Sequence, residues 1–344
     1  MPTPFLVSVP EVIRAVLAEH RITARFALER GYPAREYVTQ YRETDLAFVQ
    51  RLMGEAGLFS HATAAADEAA LVDDVLFGDT PRAYEALSLP GQSDSKPAAL
   101  FFLAVHGIAE SGADKVTAFE LRSAVRTSSA LHRDFDPERP LTPLESSAAM
   151  ADPPVALEAY EHGADFLFPK WAVAGKSFGE AGGQRALEQH RRRASIADGR
   201  GSCAALAPGR RFALEAHTEP DLNREWTAVD VRHRLDLRPA TSSGVRYENR
   251  FECVPSDVTY PARRPARRPA HVAETGTVVG PPGEEIHVDS KARVRVHFHW
   301  DRRGPTETSS CWLRTMQTWS GPGFGSQFLP RVGIVIIVTL ASTQ

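Results

Sequence analysis

The chain has 344 residues, 42% hydrophobic and 24% charged, an ordinary composition for a globular protein of about two or three domains. A formal net charge of −3 and an isoelectric point near 6.5 exclude a global basic field for gathering nucleic acid or anionic lipid, so such binding would have to be local. Cys203, Cys253 and Cys311 lie far apart and form no CxxC pair, so they signal neither a zinc ribbon nor a disulfide framework and fit a reducing compartment.

The opening MPTPFLVSVP has no basic region and only a short apolar run over 5–9, so Sec-type export is not expected. A helix is predicted over SVPEVIRAVLAEH, with Pro10 and Glu11 at its start and Val12, Ile13, Val16 and Leu17 on one face. After a GYP turn, REYVTQYRET reads as extended. A second helix follows, with Thr44 as N-cap, an apolar face of Leu46, Val49, Leu52 and Met53, and Gly57 as its stop. Residues 60–170 read as mixed, mainly β structure, with loops around the prolines between 137 and 154. The next helical stretch is QRALEQHRRRAS, whose His190–Arg193 run reads as a solvated face.

Period-two alternation then takes over. Phe212, Leu214 and Ala216 mark one half-buried antiparallel strand, Val229, Val231, His233 and Leu235 a second, and Val245, Tyr247 and Phe251 a third. The tandem ARRP repeat in YPARRPARRPA forbids ladder hydrogen bonding and favours an extended linker. The predicted organisation is therefore a first region 1–260, a Pro/Arg linker 261–270 and a small module 271–344. In that module ETGTVVG, EEIHVD, RVRVHFHWD, SCWLRTMQ and GIVIIVTL read as short strands between Gly/Pro turns, the pattern of a closed barrel of the OB-fold type. Ile334–Leu340 is far shorter than the roughly 20 residues of a bilayer span, so it reads as a buried strand and no stable membrane insertion is expected. The expected fold class is mainly β with a few helices (α+β).

In ARVRVHFHWDRRG, alternation puts Val294, Val296, Phe298 and Trp300 on one strand face and Arg293, Arg295, His297 and His299 on the other. The apolar face, with Trp312, is the expected core of the small barrel. His297 and His299 are the candidate metal ligands, yet a catalytic zinc needs three protein ligands and the neighbouring arginines repel a cation. No resident metal or cofactor is therefore expected. A single-stranded nucleic-acid surface is the alternative, built on Arg263, Arg264, Arg267, Arg268, Arg293, Arg295, Arg302 and Arg303, but the aromatics that would stack bases fall on the opposite face. GEAGGQR and GPGFGSQF match neither phosphate-cradle pattern, GFGSQ has its serine in the wrong slot for a nucleophile elbow, and no Cys/His or carboxylate pairing stands out. No catalytic residue is nominated.

Two stretches together, YPAREYVTQYRETDLAFVQRLMGEAGLFS at 32–60 and GPPGEEIHVDSKARVRVHFHWDRRG with SSCWLRTMQTWSGPGFGSQFLPRVG across 280–333, resemble the VgrG family. These are the trimeric spike proteins of the bacterial type VI secretion system, related to the hub and needle proteins of contractile phage tails. NRFECVPSDVTYPARRP resembles the family's passage from hub to OB domain. The resemblance implies partial tail-hub-like β-barrel domains followed by an OB-fold collar, and a homotrimer that meets secretion-tube and baseplate proteins and helps deliver effectors or tip proteins. It implies no catalysis, no cofactor, and no nucleic-acid partner. It also implies a cytoplasmic protein assembled at the baseplate, whose full-length relatives leave through the machinery without a signal peptide. His297 and His299 become candidate trimer-interface contacts.

Against the family pattern the chain looks shortened at both ends, stopping before the β-helix needle, which allows a truncated, non-functional copy as well as a short spike. The usual Asp-x-Tyr-Gly-Arg turn is here Asp289, Ser290, Lys291, Ala292 and Arg293, and a glycine lost where φ is positive costs about 1 kcal/mol. The usual Gly-Gln-Glu-Val is here Gly333, Ile334, Val335 and Ile336, which predicts an exposed, sticky apolar edge.

Overall fold

The computed structural model describes residues 7–35, 37–63, 74–92, 96–103, 114–135, 141, 144–162, 178–236, 246–264, 271–321 and 323–341. The chain forms two compact units, one of Met1–Val12, Pro33–Val49 and Pro265–Gln344, the other of Ile13–Tyr32 and Gln50–Arg264. The division falls inside the Arg/Pro repeat, and two early segments join the C-terminal one. Residues 265–270 of the repeat lie outside the described residues.

Helix α1 (Val9–Glu19) begins where the sequence predicts. Glu11 accepts from both the Ser8 N–H and the Ser8 hydroxyl at 2.7 Å, which caps the helix, while Val9, Val12 and Ile13 are buried. Strand β1 (Ala24–Ala27) precedes helix α2 (Asp45–Ala56). The α2 N-cap is Thr44, whose hydroxyl accepts from the Ala47 N–H at 3.2 Å. Its end is a Schellman turn, with Gly57 at φ 74° and the Leu58 N–H bonded to the Met53 carbonyl at 2.9 Å. The buried face is Phe48, Val49, Leu52, Met53 and Ala56, while Leu46 is 67% exposed. Leu46 was expected in that face and Phe48 was not. The 48/52 and 49/53/56 spacings keep one stripe on a helix of 3.6 residues per turn, and Leu46 falls off it. Strands β2 (Phe59–Thr63) and β3 (Asp74–Gly78) complete a small sheet of order β1-β3-β2, with β1 parallel and β2 antiparallel to β3.

Most of the described residues between 60 and 170 are in strands, including one stretch predicted as loop. These are β2 and β3, then β4 (Glu85–Ala86), β5 (Ala99–Phe102), β6 (Lys115–Ser123), β7 (Ser129–Asp134), β8 (Leu144–Ala149) and β9 (Glu158–His162). β8 runs through the proline-flanked region read as loop, because its alternating Leu144, Ser146 and Ala148 face a helix. That helix is α3 (Phe178–Arg191). It lies on the sheet β8-β7-β9, burying Ala186 and Leu187 against Ala130 and Ala148.

Strands β10 (Ser195–Gly201), β11 (Arg210–Glu215), β12 (Glu225–Asp236) and β13 (Arg246–Pro255) close a barrel with β5 and β6. The order is β12-β13-β10-β6-β5-β11, and β11 pairs back onto β12, so six strands close on themselves while β4 adds to β11 from outside. The interior is filled by Leu100, Phe119, Phe212, Leu214, Trp226, Phe251 and their neighbours, a packed core rather than a channel. The even alternation expected along β12 does not hold. The register shifts between Ala228 and Asp230, so Trp226 and Ala228 face inward before the bulge and Val231 after it, and Leu235 is exposed.

In the other unit, β14 (His271–Val279) pairs with β15 (Arg295–Phe298) and β18 (Val335–Ala341) in an antiparallel sheet of order β15-β14-β18. A short hairpin joins β16 (Ser320–Gly321) and β17 (Phe324–Gly325). Val278, Val294 and Val296 form the core, with Val288, Leu313, Ile336 and Val338 against it. EEIHVD takes no strand pairing, and SCWLRTMQ contributes only a bridge from Leu313 to Val294. In the first segment Glu284 and Asp289 donate within local turns, to the carbonyls of Pro281 and Arg293, while the Glu285 carbonyl accepts from the Val332 N–H at 2.9 Å.

Candidate functional site

The ARVRVHFHWDRRG segment forms one side of the C-terminal unit. Val294, Val296 and Phe298 are buried, Val296 with no exposure, and the Val296 N–H reaches the Ser310 hydroxyl at 2.8 Å. The strand ends at Phe298, so Trp300 does not continue its inward alternation. It lies half-buried in the following turn, stacked on Phe298 at 5.2 Å and tilted against Tyr41 at 5.2 Å. Trp312 is half-buried too, with the Arg295 guanidinium 4.5 Å from its ring centroid and His287 beside it. It seals an edge of the unit rather than joining the valine core.

The two histidines are not brought onto one target. The His297 Nε2 pairs with the Arg303 carbonyl oxygen at 2.8 Å, whereas His299 lies between the hydroxyls of Thr275 and Thr277 at 2.9 and 3.2 Å. Among the described residues no group of three or more His, Cys, Asp or Glu could hold a metal ion. Three of the arginines considered for nucleic acid, Arg293, Arg295 and Arg264, are committed within the fold. Arg293 Nε donates to Asp289 at 2.6 Å, Arg295 donates to the Glu307 carbonyl at 2.9 Å, and Arg264 donates to Glu161 at 2.8 Å.

Asp289 organises the turn that departs from the family pattern. Its carboxylate accepts the N–H groups of Lys291 and Arg293 as well as the Arg293 side chain. Burial opposes its ionisation, but these donors outweigh that and hold its carboxyl below the ordinary aspartate range. Ala292, in the position usually held by glycine, has φ 58°.

Folding also assembles a groove that no single stretch announces. About 860 Å³ in volume, it is lined by Tyr41 and Arg42, by Glu274 of β14, and by Trp300, Arg302 and Arg303 of the turn after β15. Tyr41 donates to the Glu274 carboxylate, which pushes its phenol pKa up, and Arg42 lies 5.2 Å over the Tyr41 ring with its guanidinium 3.8 Å from Glu274. These residues are 233 positions apart in sequence at the Tyr41–Glu274 bond, so neither local periodicity nor spacing could have found the pairing. Elsewhere on this unit Met316, Trp319, Phe324 and Phe328 are exposed, and β18 turns Val335 and Ile337 outward, Ile337 at 70% exposure. The apolar edge expected from Gly333–Ile336 is thus present in β18.

A family model for the phage tail baseplate hub (GPD) matches residues 7–238, which hold five of the six barrel strands, all but β13, together with the sheets β1-β3-β2 and β8-β7-β9. The chain belongs to the phage tail baseplate hub (GPD) family. Type VI secretion system spike proteins are among the proteins it is similar to. The chain is 35% identical to the spike protein VgrG4b of Pseudomonas aeruginosa over 96% of its own length and 41% of the relative's. It is 33% identical to the spike protein VgrG3 of Vibrio cholerae over 96% of its length and 32% of the relative's. It therefore spans 32–41% of the length of these relatives. The fold is shared with the c3393 protein of E. coli, described as a component of the type VI secretion system with structural similarity to the phage T4 tail proteins gp27 and gp5. That structure matches with a TM-score of 0.56 at 20% identity, over 97% of this chain and 68% of the other. No helix among the described residues is long and apolar enough to cross a membrane.

Proposed function

We propose that this hub-family chain serves as the hub and collar portion of a type VI secretion spike, working at the baseplate as a homotrimer. The observation that carries the reading is the coincidence of a baseplate-hub match over 7–238 with similarity to spike proteins across 96% of the chain. The closed barrel supplies a rigid body for mechanical work, since six closed strands leave no edge open in its ladder. The sheet β15-β14-β18 is read as the collar, an OB-type module that continues the axis of the spike. Exposed Met316, Trp319, Phe324 and Phe328, of which Trp319 and Phe324 touch at 5.6 Å between ring centroids, are the surface this reading assigns to subunit contact, because large exposed apolar side chains grouped together mark association sites. Secretion-tube and baseplate proteins are the further partners, with effectors or tip proteins carried by the assembly. The proposed work is structural and assigns no reaction to the chain.

Size-exclusion chromatography with light scattering tests this directly. The expected mass is three times the 37.7 kDa protomer. A monomer that persists at high protein concentration would overturn the assembly reading.

A further inference from the structure

We infer that the groove between Tyr41 and the 300–303 turn is a docking site for an acidic peptide segment of a protein partner, with Arg302 and Arg303 as its carboxylate receptors. The inference does not require the spike reading, since it rests on the chemistry of the groove.

The three acidic side chains that line the groove are already engaged. Glu274 accepts from Tyr41 and pairs with Arg42, Asp45 accepts from the Gln40 amide at 2.6 Å, and Asp301 accepts the Arg303 N–H at 3.1 Å. The guanidinium groups of Arg302 and Arg303 have no ion pair among the described residues, and both side chains are exposed. Their backbone is nonetheless fixed. The Asp301 N–H bonds to the Phe298 carbonyl at 2.9 Å, and the Arg303 carbonyl is held by His297 at 2.8 Å. Two uncommitted, forked donors on a fixed turn suit carboxylates, which they can engage two-pronged. At about 860 Å³ the groove is within the roughly 300–1,000 Å³ range of small-ligand sites, room for a few extended residues.

The aromatics decide between a peptide and a nucleic acid. A single strand needs open ring faces on which bases stack. Here Trp300 is stacked face to face on Phe298 at an interplanar angle of 17°, and the Tyr41 ring lies under the Arg42 guanidinium. The rings offer apolar edges to an aliphatic side chain more readily than faces to a base.

The test uses the full chain and a fluorescein-labelled octapeptide of alternating aspartate and leucine, followed by anisotropy at low salt. Saturable binding is expected, weakened about tenfold or more by Arg302→Glu with Arg303→Glu. The same pair of changes at Arg232 and Arg250, exposed arginines of the barrel, is expected to leave it unchanged. An asparagine-leucine octapeptide is expected not to bind. Far-UV circular dichroism confirms that each variant is folded, and Arg302→Gln with Arg303→Gln, which keeps polar side chains there, should give an intermediate loss. No saturable binding, equal loss in the barrel variant, or tighter binding of oligothymidylate would each overturn the inference.

Discussion

Ala292 shows how one residue records a departure from a family's usual turn. Its φ of 58° is a conformation in which a Cβ crowds the following carbonyl, so an L-residue there costs about 1–2 kcal/mol that glycine avoids. Ala292→Gly is expected to raise stability by about 1 kcal/mol, net of the extra chain entropy of glycine, measured by denaturant unfolding. The neighbouring Asp289 sets a pH dependence. Its folded carboxyl lies below the ordinary range, so its stabilisation is present above the unfolded pKa and is lost as pH falls through the lower, folded one. Asp289→Asn keeps an oxygen for the backbone donors but loses the charge. It is expected to cost about 1 kcal/mol at pH 7, with the gap to the parent closing in acid below about pH 4. Equal destabilisation at pH 7 and pH 3 would rule out the charge as the cause.

At the scale of elements, α3 and β8 approach so closely that two adjacent glycines have opposite roles. A Cβ on Gly183 would lie 2.7 Å from the carbonyl carbon of Ser147 and 2.9 Å from its Cα, both backbone atoms that have nowhere to go. Gly182 has nothing nearer than 3.9 Å. Gly182→Ala is therefore expected to stabilise by up to about 1 kcal/mol through helix propensity, and Gly183→Ala to destabilise by about 1–3 kcal/mol, read from paired thermal melts. Helix α2 was legible from sequence because its cap, its stop and its stripe are local features. Leu46 and Phe48 were misassigned because which neighbouring residues fill the stripe depends on where the helix axis lies against its partners. The bulge in β12 is a related case: one inserted residue reverses the facing of every side chain beyond it, and alternation alone does not locate it.

At the scale of the molecule, the closed barrel holds a core of sixteen buried apolar residues among the described residues of its unit. Phe212 has no exposure and meets Phe251 edge-on at 5.8 Å, so Phe212→Ala is expected to cost about 3–5 kcal/mol and to lower the unfolding midpoint of that unit. Normal stability in that variant would mean the barrel is not the cooperative core. Composition and period determined that the chain is mainly β with a few capped helices, that its charge offers no global field to nucleic acid, and, through two quoted stretches, which family it resembles. These are properties of neighbouring residues or of the whole composition, and they survive without three-dimensional information. The order of the six strands, the departure of Trp300 and Trp312 from the valine core, the separation of His297 from His299, and the meeting of Tyr41 with Glu274 were settled by folding. Each depends on which distant segments share a hydrogen-bonded register or a packed surface, and the free energy of those pairings belongs to contacts that a linear sequence does not display.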